Sequence, residues 1–223
     1  MPLNLLPPVM LPITNVHYSQ TGTLIRSSEK FDEPVSSCVW AADCRSFITG
    51  SFDKDRALCQ WNLDGERLFT WTKKHRTEDL AVSPDGQWLV AMDDQCRVHV
   101  YNFVTRELEY EMQLKARPTS VSISQDSRFL LVNQVDGEAQ LVEIASKDVV
   151  QKYTGHTGGK FLIRSAFGGA NESFAISGSE GMSRNLVLMR TILELTTKHS
   201  RWLHLYLAQD DGHPGAENLR PPT

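Results

Sequence analysis

Pro84-Asp85-Gly86-Gln87-Trp88-Leu89-Val90-Ala91 sets an acidic turn directly before an apolar run. On either side the arrangement recurs. Ala42-Asp43-Cys44-Arg45 opens onto Phe47-Ile48-Thr49-Gly50-Ser51, and Gln125-Asp126-Ser127-Arg128 onto Phe129-Leu130-Leu131-Val132. A fourth copy, Ala170-Asn171-Glu172-Ser173, leads into Phe174-Ala175-Ile176-Ser177-Gly178-Ser179. The turn residues Asp43, Asp85, Asp126 and Asn171 are 42, 41 and 45 residues apart. A second marker, Trp61-Asn62, Tyr101-Asn102 and Glu143-Ile144, returns after 40 and 42 residues. Two markers on one period identify an internal repeat.

Within a repeat the pattern is that of strands. Ser120-Val121-Ser122-Ile123-Ser124 and Arg97-Val98-His99-Val100-Tyr101 alternate polar and apolar residues with the period of a half-buried strand. Asp53, Asp64-Gly65, Asp93-Asp94 and Asp136-Gly137 add turn signals between them. Four short strands in about 42 residues is the arithmetic of one propeller blade. A sandwich with irregular strands is the alternative, but a sandwich need not repeat its own sequence. The reading is all-β: a propeller fragment of three full blades, at about 35–153, with a half blade before and a half blade after. Residues 15–23 and 24–31 are expected as the third and fourth strands of the earlier unit. Either the two half-units pair to close a small ring, or the chain is an open arc with exposed strand edges and uncovered apolar faces.

Gly155-His156 before a strand, Gly178-Ser179 after one and Trp61-Asn62 near the end of a third resemble WD-repeat signatures. In that family a Trp, a Ser or Thr, an Asp and a His knit a blade by side-chain hydrogen bonds. Thr49, Asp53 and Trp61 match three of those places, while Phe31-Asp32 stands at the His place. His75 matches in the second unit, where Ala91 replaces the hydroxyl and Tyr101 the Trp; in the third unit Glu143 takes the Trp place. His156 and Ser177 are the corresponding residues of the fourth unit. With no complete network, stability is expected to rest on apolar packing.

Two stretches narrow the resemblance. One is Pro34-Val35-Ser36-Ser37-Cys38-Val39-Trp40 with Phe47-Ile48-Thr49-Gly50-Ser51-Phe52-Asp53-Lys54. The other is Gly155-His156-Thr157 with Ile163-Arg164-Ser165-Ala166-Phe167-Gly168-Gly169 and Asn171-Glu172-Ser173-Phe174, which carries a longer turn. Together they resemble the family of WD-repeat subunits of the GID/CTLH (glucose-induced degradation) E3 ubiquitin ligase, over 15–181. The resemblance implies a protein-binding scaffold or substrate-recruiting subunit in ubiquitin-dependent degradation, cytoplasmic and also nuclear, with transfer chemistry done by other subunits. It also implies a truncated chain, without the helical region that precedes the propeller in the family. Candidate contact loops are the turns between second and third strands: Phe52-Asp53-Lys54, Asp93-Asp94-Gln95 and Val135-Asp136. Phe52 either anchors a partner or covers the neighbouring blade. A scaffold of another complex, a non-functional truncated product and a propeller-based hydrolase with a central-channel site stay open as alternatives.

After Gly181 the rhythm stops. Leucine rises from 16 in the first 181 residues to 8 in the last 42. Residues 182–223 are therefore read as an atypical tail, helical or disordered, replacing the third strand of the fourth unit. Ser183 caps the candidate helix, with Leu186, Met189, Ile192 and Leu193 on one face. A partner-binding helix and an out-of-frame or intron-derived tail are both readings of it, the second preferred. Residues 1–14 hold Pro2, Pro7, Pro8 and Pro12 and no Lys or Arg, so they are expected as a disordered segment rather than a signal peptide.

Composition excludes several classes. With 23 Lys+Arg against 27 Asp+Glu, the net charge of −4 offers no basic field to nucleic acid or an anionic membrane. Cys38, Cys44, Cys59 and Cys96 have no CxxC spacing, so no metal is expected and the thiols are read as free. Gly155-His156-Thr157-Gly158-Gly159-Lys160 is one residue short of a phosphate-binding loop, and Phe161 stands where Ser or Thr should hold magnesium. Ser177-Gly178-Ser179-Glu180-Gly181 lacks the first glycine of a nucleophile elbow. Asp53 with Asp55, Asp93 with Asp94 and Asp210 with Asp211 lie in turns or the tail, and His99 reads as a strand-face histidine. No catalytic residue, cofactor or small-molecule substrate is expected; the partners are proteins.

Overall fold

The repeated aspartate shapes the chain first. Asp43 Oδ1 accepts the backbone N–H of Arg45 at 2.8 Å, Asp85 Oδ1 that of Gln87 at 2.9 Å and Asp126 Oδ1 that of Arg128 at 3.1 Å. The next residue is left-handed each time: Cys44 at φ 55°, Gly86 at 71° and Ser127 at 63°. A carboxylate bonded to the backbone two residues on, followed by a positive φ, reverses the chain within a few residues. Each turn therefore joins the first two strands of a repeat.

The structure, a computed structural model, describes residues 31–159 and 161–180, together with the backbone strands Asn15–His17, Leu24–Ser27 and Val187–Arg190. β1 (Asn15–His17) and β2 (Leu24–Ser27) form an antiparallel pair. The first four-stranded sheet comprises β3 (Val35–Trp40), β4 (Ser46–Ser51), β5 (Leu58–Asn62) and β6 (Arg67–Thr70). The second comprises β7 (Thr77–Val82), β8 (Trp88–Asp93), β9 (Arg97–Asn102) and β10 (Leu108–Gln113). The third comprises β11 (Pro118–Ile123), β12 (Phe129–Gln134), β13 (Glu138–Glu143) and β14 (Val149–Thr154). A fourth holds three strands, β15 (Ser165–Gly168), β16 (Phe174–Ser177) and β17 (Val187–Arg190). Strands pair antiparallel in chain order within every sheet. The first strands β3, β7, β11 and β15 stand beside one another in succession, and β6, β10 and β14 are the exposed outer edges. This is the radial arrangement of propeller blades.

The cores lie between sheets, not within one. In β8, Leu89 and Ala91 pack with Ile48, Leu58 and Trp71 of the first sheet, while Val90 and Met92 pack with Leu130, Val132 and Val142 of the third. The middle strands are thus buried on both faces, which is why they read as continuous apolar runs. Phe129, Leu131 and Leu141 carry the same contact on to Ala175 of the fourth sheet. Fully burying each such side chain stabilises the stack by roughly 1.5–3 kcal/mol.

Close approach at the first interface depends on Gly50. A Cβ there would stand 2.5 Å from Thr77 Cγ2 and 2.7 Å from Leu80 Cδ2. Thr77 is buried and its hydroxyl bonds Ala57 O at 2.9 Å, so it has little room to yield. Gly50→Ala is expected to destabilise the chain by about 1–3 kcal/mol through overpacking. Thermal melting of the variant beside Gly168→Ala, whose Cβ would meet nothing within 4 Å, checks this.

Three expectations need correction. Val187–Arg190 is a strand paired with β16, so Met189 does not lie on a helix and the fourth sheet has a third strand. The open edge of β16 offers N–H and C=O groups that a strand satisfies and a helix does not. The other residues of the candidate helix and the segment 1–14 lie outside the described residues. Second, among the described residues β1–β2 and β15–β17 are separate sheets, so the described strands of the two half-units do not merge into one blade. Third, Trp61 pairs with Phe47 and Tyr101 with Leu89, and the equivalent Leu130 pairs with Val142. Val142, buried in the core, holds the Trp place of the third repeat, and Glu143 points away one position later. Trp40 is 53% exposed and meets Phe47 edge-on at 6.0 Å.

Candidate functional site

The turns between second and third strands and the loops leading into each first strand gather at one end of the sheets. Asp53 Oδ1 accepts the backbone N–H of Asp55 at 3.0 Å and Oδ2 accepts Arg56 Nε at 3.0 Å, so Asp53 caps the 3₁₀ turn Lys54–Arg56. Phe52 is half-buried beneath the Arg76 guanidinium, 4.8 Å above its ring. Asp94 is half-buried and 3.8 Å from Arg76 Nε. Lys54, Gln95 and Asp136 are exposed, and Val135 is half-buried. Asp93 is fully buried, so of the turn residues it alone has no surface to offer a partner.

Beneath this end lie the signature residues. In the first repeat Trp61 Nε1–H donates to Thr49 Oγ1 at 2.9 Å, and Phe31 replaces the missing histidine by packing its ring 5.7 Å from that of Trp61. In the second repeat the hydroxyl comes from Thr77 rather than from the Ala91 position. Thr77 Oγ1 gives its proton to Ala57 O, so it accepts from His75 Nδ1–H at 3.2 Å, and His75 Nε2 accepts from Tyr101 O–H at 3.1 Å. Burial, together with the charge of His99, holds His75 down to about 3, so its ring is neutral. Burial likewise pushes the Tyr101 phenol up.

His99 stacks on His75 with ring centroids 4.2 Å apart. Its Nε2 faces Asp93 Oδ2 at 2.9 Å and its Nδ1 faces Glu111 Oε1 at 2.7 Å. Burial works to raise Asp93, but hydrogen bonds from His99 and from the Arg97 and Gln95 backbone outweigh it and hold the carboxyl at about 2. The hydrogen bond from Lys73 is the main reason that Glu111 is lowered. Each ring nitrogen of His99 lies against a carboxylate oxygen. A strand-face histidine in sequence terms is thus the buried centre of an ionic cluster.

In the fourth repeat His156 is buried with both ring nitrogens unpartnered among the described residues, and burial lowers its pKa. Ser177 is buried and donates to Gly178 O at 3.1 Å instead of to a neighbouring strand. The loop 155–164 is braced by close backbone approach: a Cβ on Gly158 would lie 1.9 Å from Val135 O. Thr157 N–H donates to Ser179 Oγ at 2.9 Å, and Phe161 N–H to Glu180 Oε1 at 2.6 Å.

Sequence reasoning missed the inner rim. Asp79, buried on β7, accepts from Ser37 Oγ of the first sheet at 2.9 Å, from Val121 N of the third at 3.4 Å and from Arg164 Nη2 before the fourth at 3.3 Å. Beside it Glu78 takes a two-pronged bond from Arg117, with Nε at 2.9 Å. Ser165 N–H closes the row on Ser120 Oγ at 3.0 Å. The signal was available: Ser37, Asp79, Ser120 and Ser165 keep the intervals of 42, 41 and 45 set by the turns. Among the described residues no group of three or more His, Cys, Asp or Glu is placed to hold a metal ion. No described helix is long and apolar enough to cross a membrane.

No protein-family model matches the chain. It is 36% identical over 166 residues to the WD repeat-containing protein 26 homolog of Arabidopsis thaliana, covering 72% of this chain and 27% of that protein. It is 35% identical over 168 residues to GID complex subunit 7 of Schizosaccharomyces pombe, covering 72% of this chain and 32% of that protein. The WD repeat-containing protein WDS homolog of Arabidopsis thaliana is 36% identical over 149 residues, covering 66% of this chain and 28% of that protein. The chain thus spans about a third or less of the length of these relatives. Repeat period, radially stacked four-stranded sheets and these similarities place the chain in the family of WD-repeat proteins.

Proposed function

We propose that the chain is a non-enzymatic, protein-binding scaffold or substrate-recruiting part of a GID-type E3 ubiquitin ligase. The observation that carries this is the 35% identity to a protein named as a GID complex subunit, over most of the described blades. The architecture supports it, because stacked sheets hold loops in fixed positions and leave the outer surface for partners. Lys54, Gln95 and Asp136, with half-buried Asp94 and Val135, are the contact residues on the three turns. Phe52, Asp53 and Asp93 keep those turns in shape. The proposed setting is the cytoplasm and nucleus, with proteins rather than nucleic acid, membrane or small molecules as partners.

Epitope-tagged chain expressed in the source cells and purified under mild conditions is expected to bring down ligase subunits. Lys54→Glu combined with Asp136→Lys is expected to reduce recovery several-fold without changing the melting temperature. Recovery of no ligase subunit, from chain shown to be folded by circular dichroism, would sink the assignment.

A further inference from the structure

We propose that the loop opening the fourth repeat, with the arginines beside it, docks an acidic segment of a partner protein that also carries an apolar side chain. The proposal rests on reading this end of the sheets as protein-binding, and it names the partner's chemistry. Carboxylates and guanidinia here are layered by depth. The side chains of Glu78 and Asp79 are 5% and 3% exposed, whereas those of their partners Arg117 and Arg164 are 48% and 72% exposed. The negative ends are sealed beneath and the positive ends face outward. A guanidinium carries five N–H donors, and Arg164 gives Asp79 only its Nη2, so its fork retains donors for an incoming carboxylate. Because Glu78 already holds Arg117 by a two-pronged bond, that side chain loses little further rotamer freedom on binding.

Apolar surface adjoins the charge. Phe161 is 73% and Leu162 55% exposed, three and two residues before Arg164. They are not on a slack loop. Phe161 N–H is tied to Glu180, and the carbonyl of the next residue but one, Ile163, accepts from Thr119 Oγ1 at 2.7 Å and Asn133 Nδ2 at 3.1 Å. The connection at 155–164 is also longer than those at 71–76 and 114–117, which enter the second and third sheets. An aromatic and an arginine held rigidly in the open are the composition of a binding hot spot. A basic segment would meet the guanidinia first. A nucleic acid would bring phosphates, but the chain's net charge of −4 opposes it.

Fluorescence anisotropy with the full chain tests this. The probes are a fluorescein-labelled peptide of glutamate and leucine, its lysine counterpart and a single-stranded DNA oligonucleotide. The acidic peptide is expected to bind, more weakly at about 300 mM than at about 50 mM salt. Arg164→Glu and Phe161→Ser are each expected to weaken it about tenfold or more, while Arg45→Glu at the opposite end leaves it unchanged. Both tested side chains are exposed, so equal melting temperatures confirm that folding is intact. Failure of the acidic peptide to bind, equal binding of the lysine peptide, indifference to the variants, or tighter binding of the oligonucleotide each overturns the proposal. If ligase subunits still bind while the acidic peptide does not, this inference falls alone. If the peptide binds but no ligase subunit is recovered, the ligase assignment falls alone.

Discussion

Trp61→Ala is expected to cost the chain about 3–5 kcal/mol, the range for truncating a buried large aromatic side chain. Trp61 is fully buried in the first sheet, with Phe31 5.7 Å away and the Thr49 hydroxyl at 2.9 Å. Removing the indole opens a cavity under Phe31 and leaves the buried Thr49 hydroxyl without its donor. Domains of this size have about 5–15 kcal/mol in total, so the variant stands near the edge of folding. Trp61→Phe keeps most of the packing and loses the Thr49 bond, for an expected loss of about 1–2 kcal/mol. Tyr101→Phe, at the equivalent place of the second repeat, is expected to cost about 1–3 kcal/mol by leaving His75 Nε2 without its donor. Urea unfolding followed by far-UV circular dichroism at about pH 7.5 ranks the three. A Trp61→Ala chain within about 1 kcal/mol of the parent would mean that this position does not anchor the blade.

These residues also show what the sequence could and could not disclose. The aspartate turns and apolar runs were legible because turn chemistry is local: Asp85 and Gly86 bend the backbone with the help of nearby residues alone. Trp61 with Thr49 was legible through the WD-repeat resemblance, and the register that pairs Thr49 with Cys59 and Trp61 with Phe47 brings the two together. The inner rim was not, because Asp79 gains its meaning from three other sheets, reached 42 residues before and 42 and 85 residues after it in the chain. His99 was read correctly as a strand residue, but its partners were not legible, on similar grounds. Its alternation with Val98 and Val100 gives the correct strand, but its acidic partners arrive from β8 and β10. The strand at Val187–Arg190 illustrates the reverse case, in which a helical spacing on paper yields to an open sheet edge.

Acid is expected to destabilise the chain well above the pH at which most carboxylates titrate, and His75 is the chief reason. In the unfolded chain it has the ordinary value of 6.5, but burial first, and the nearby His99 charge second, hold the folded value at about 3. Between these limits the unfolded state binds one more proton than the folded state, so stability rises with pH and is lost as pH falls from about 6.5 towards 3. Each pH unit in that window is worth about 1.4 kcal/mol, or roughly 3 kcal/mol by pH 4. Asp93 acts in a lower window: its folded value near 2 against 3.8 contributes stability that is present above 3.8 and lost only below it. Lys73 and Arg97 add to the pressure against a proton on His75, and Asp93 opposes them. His75→Gln keeps an amide donor and acceptor but cannot take up the proton, so its stability is expected to fall less steeply than the parent's between about pH 7 and pH 4.5, the remaining slope coming from buried His156, although it starts lower. Urea midpoints of parent and variant across that range decide the matter. Parallel pH profiles would show that the protonation of His75 is not what links folding of the second blade to acidity.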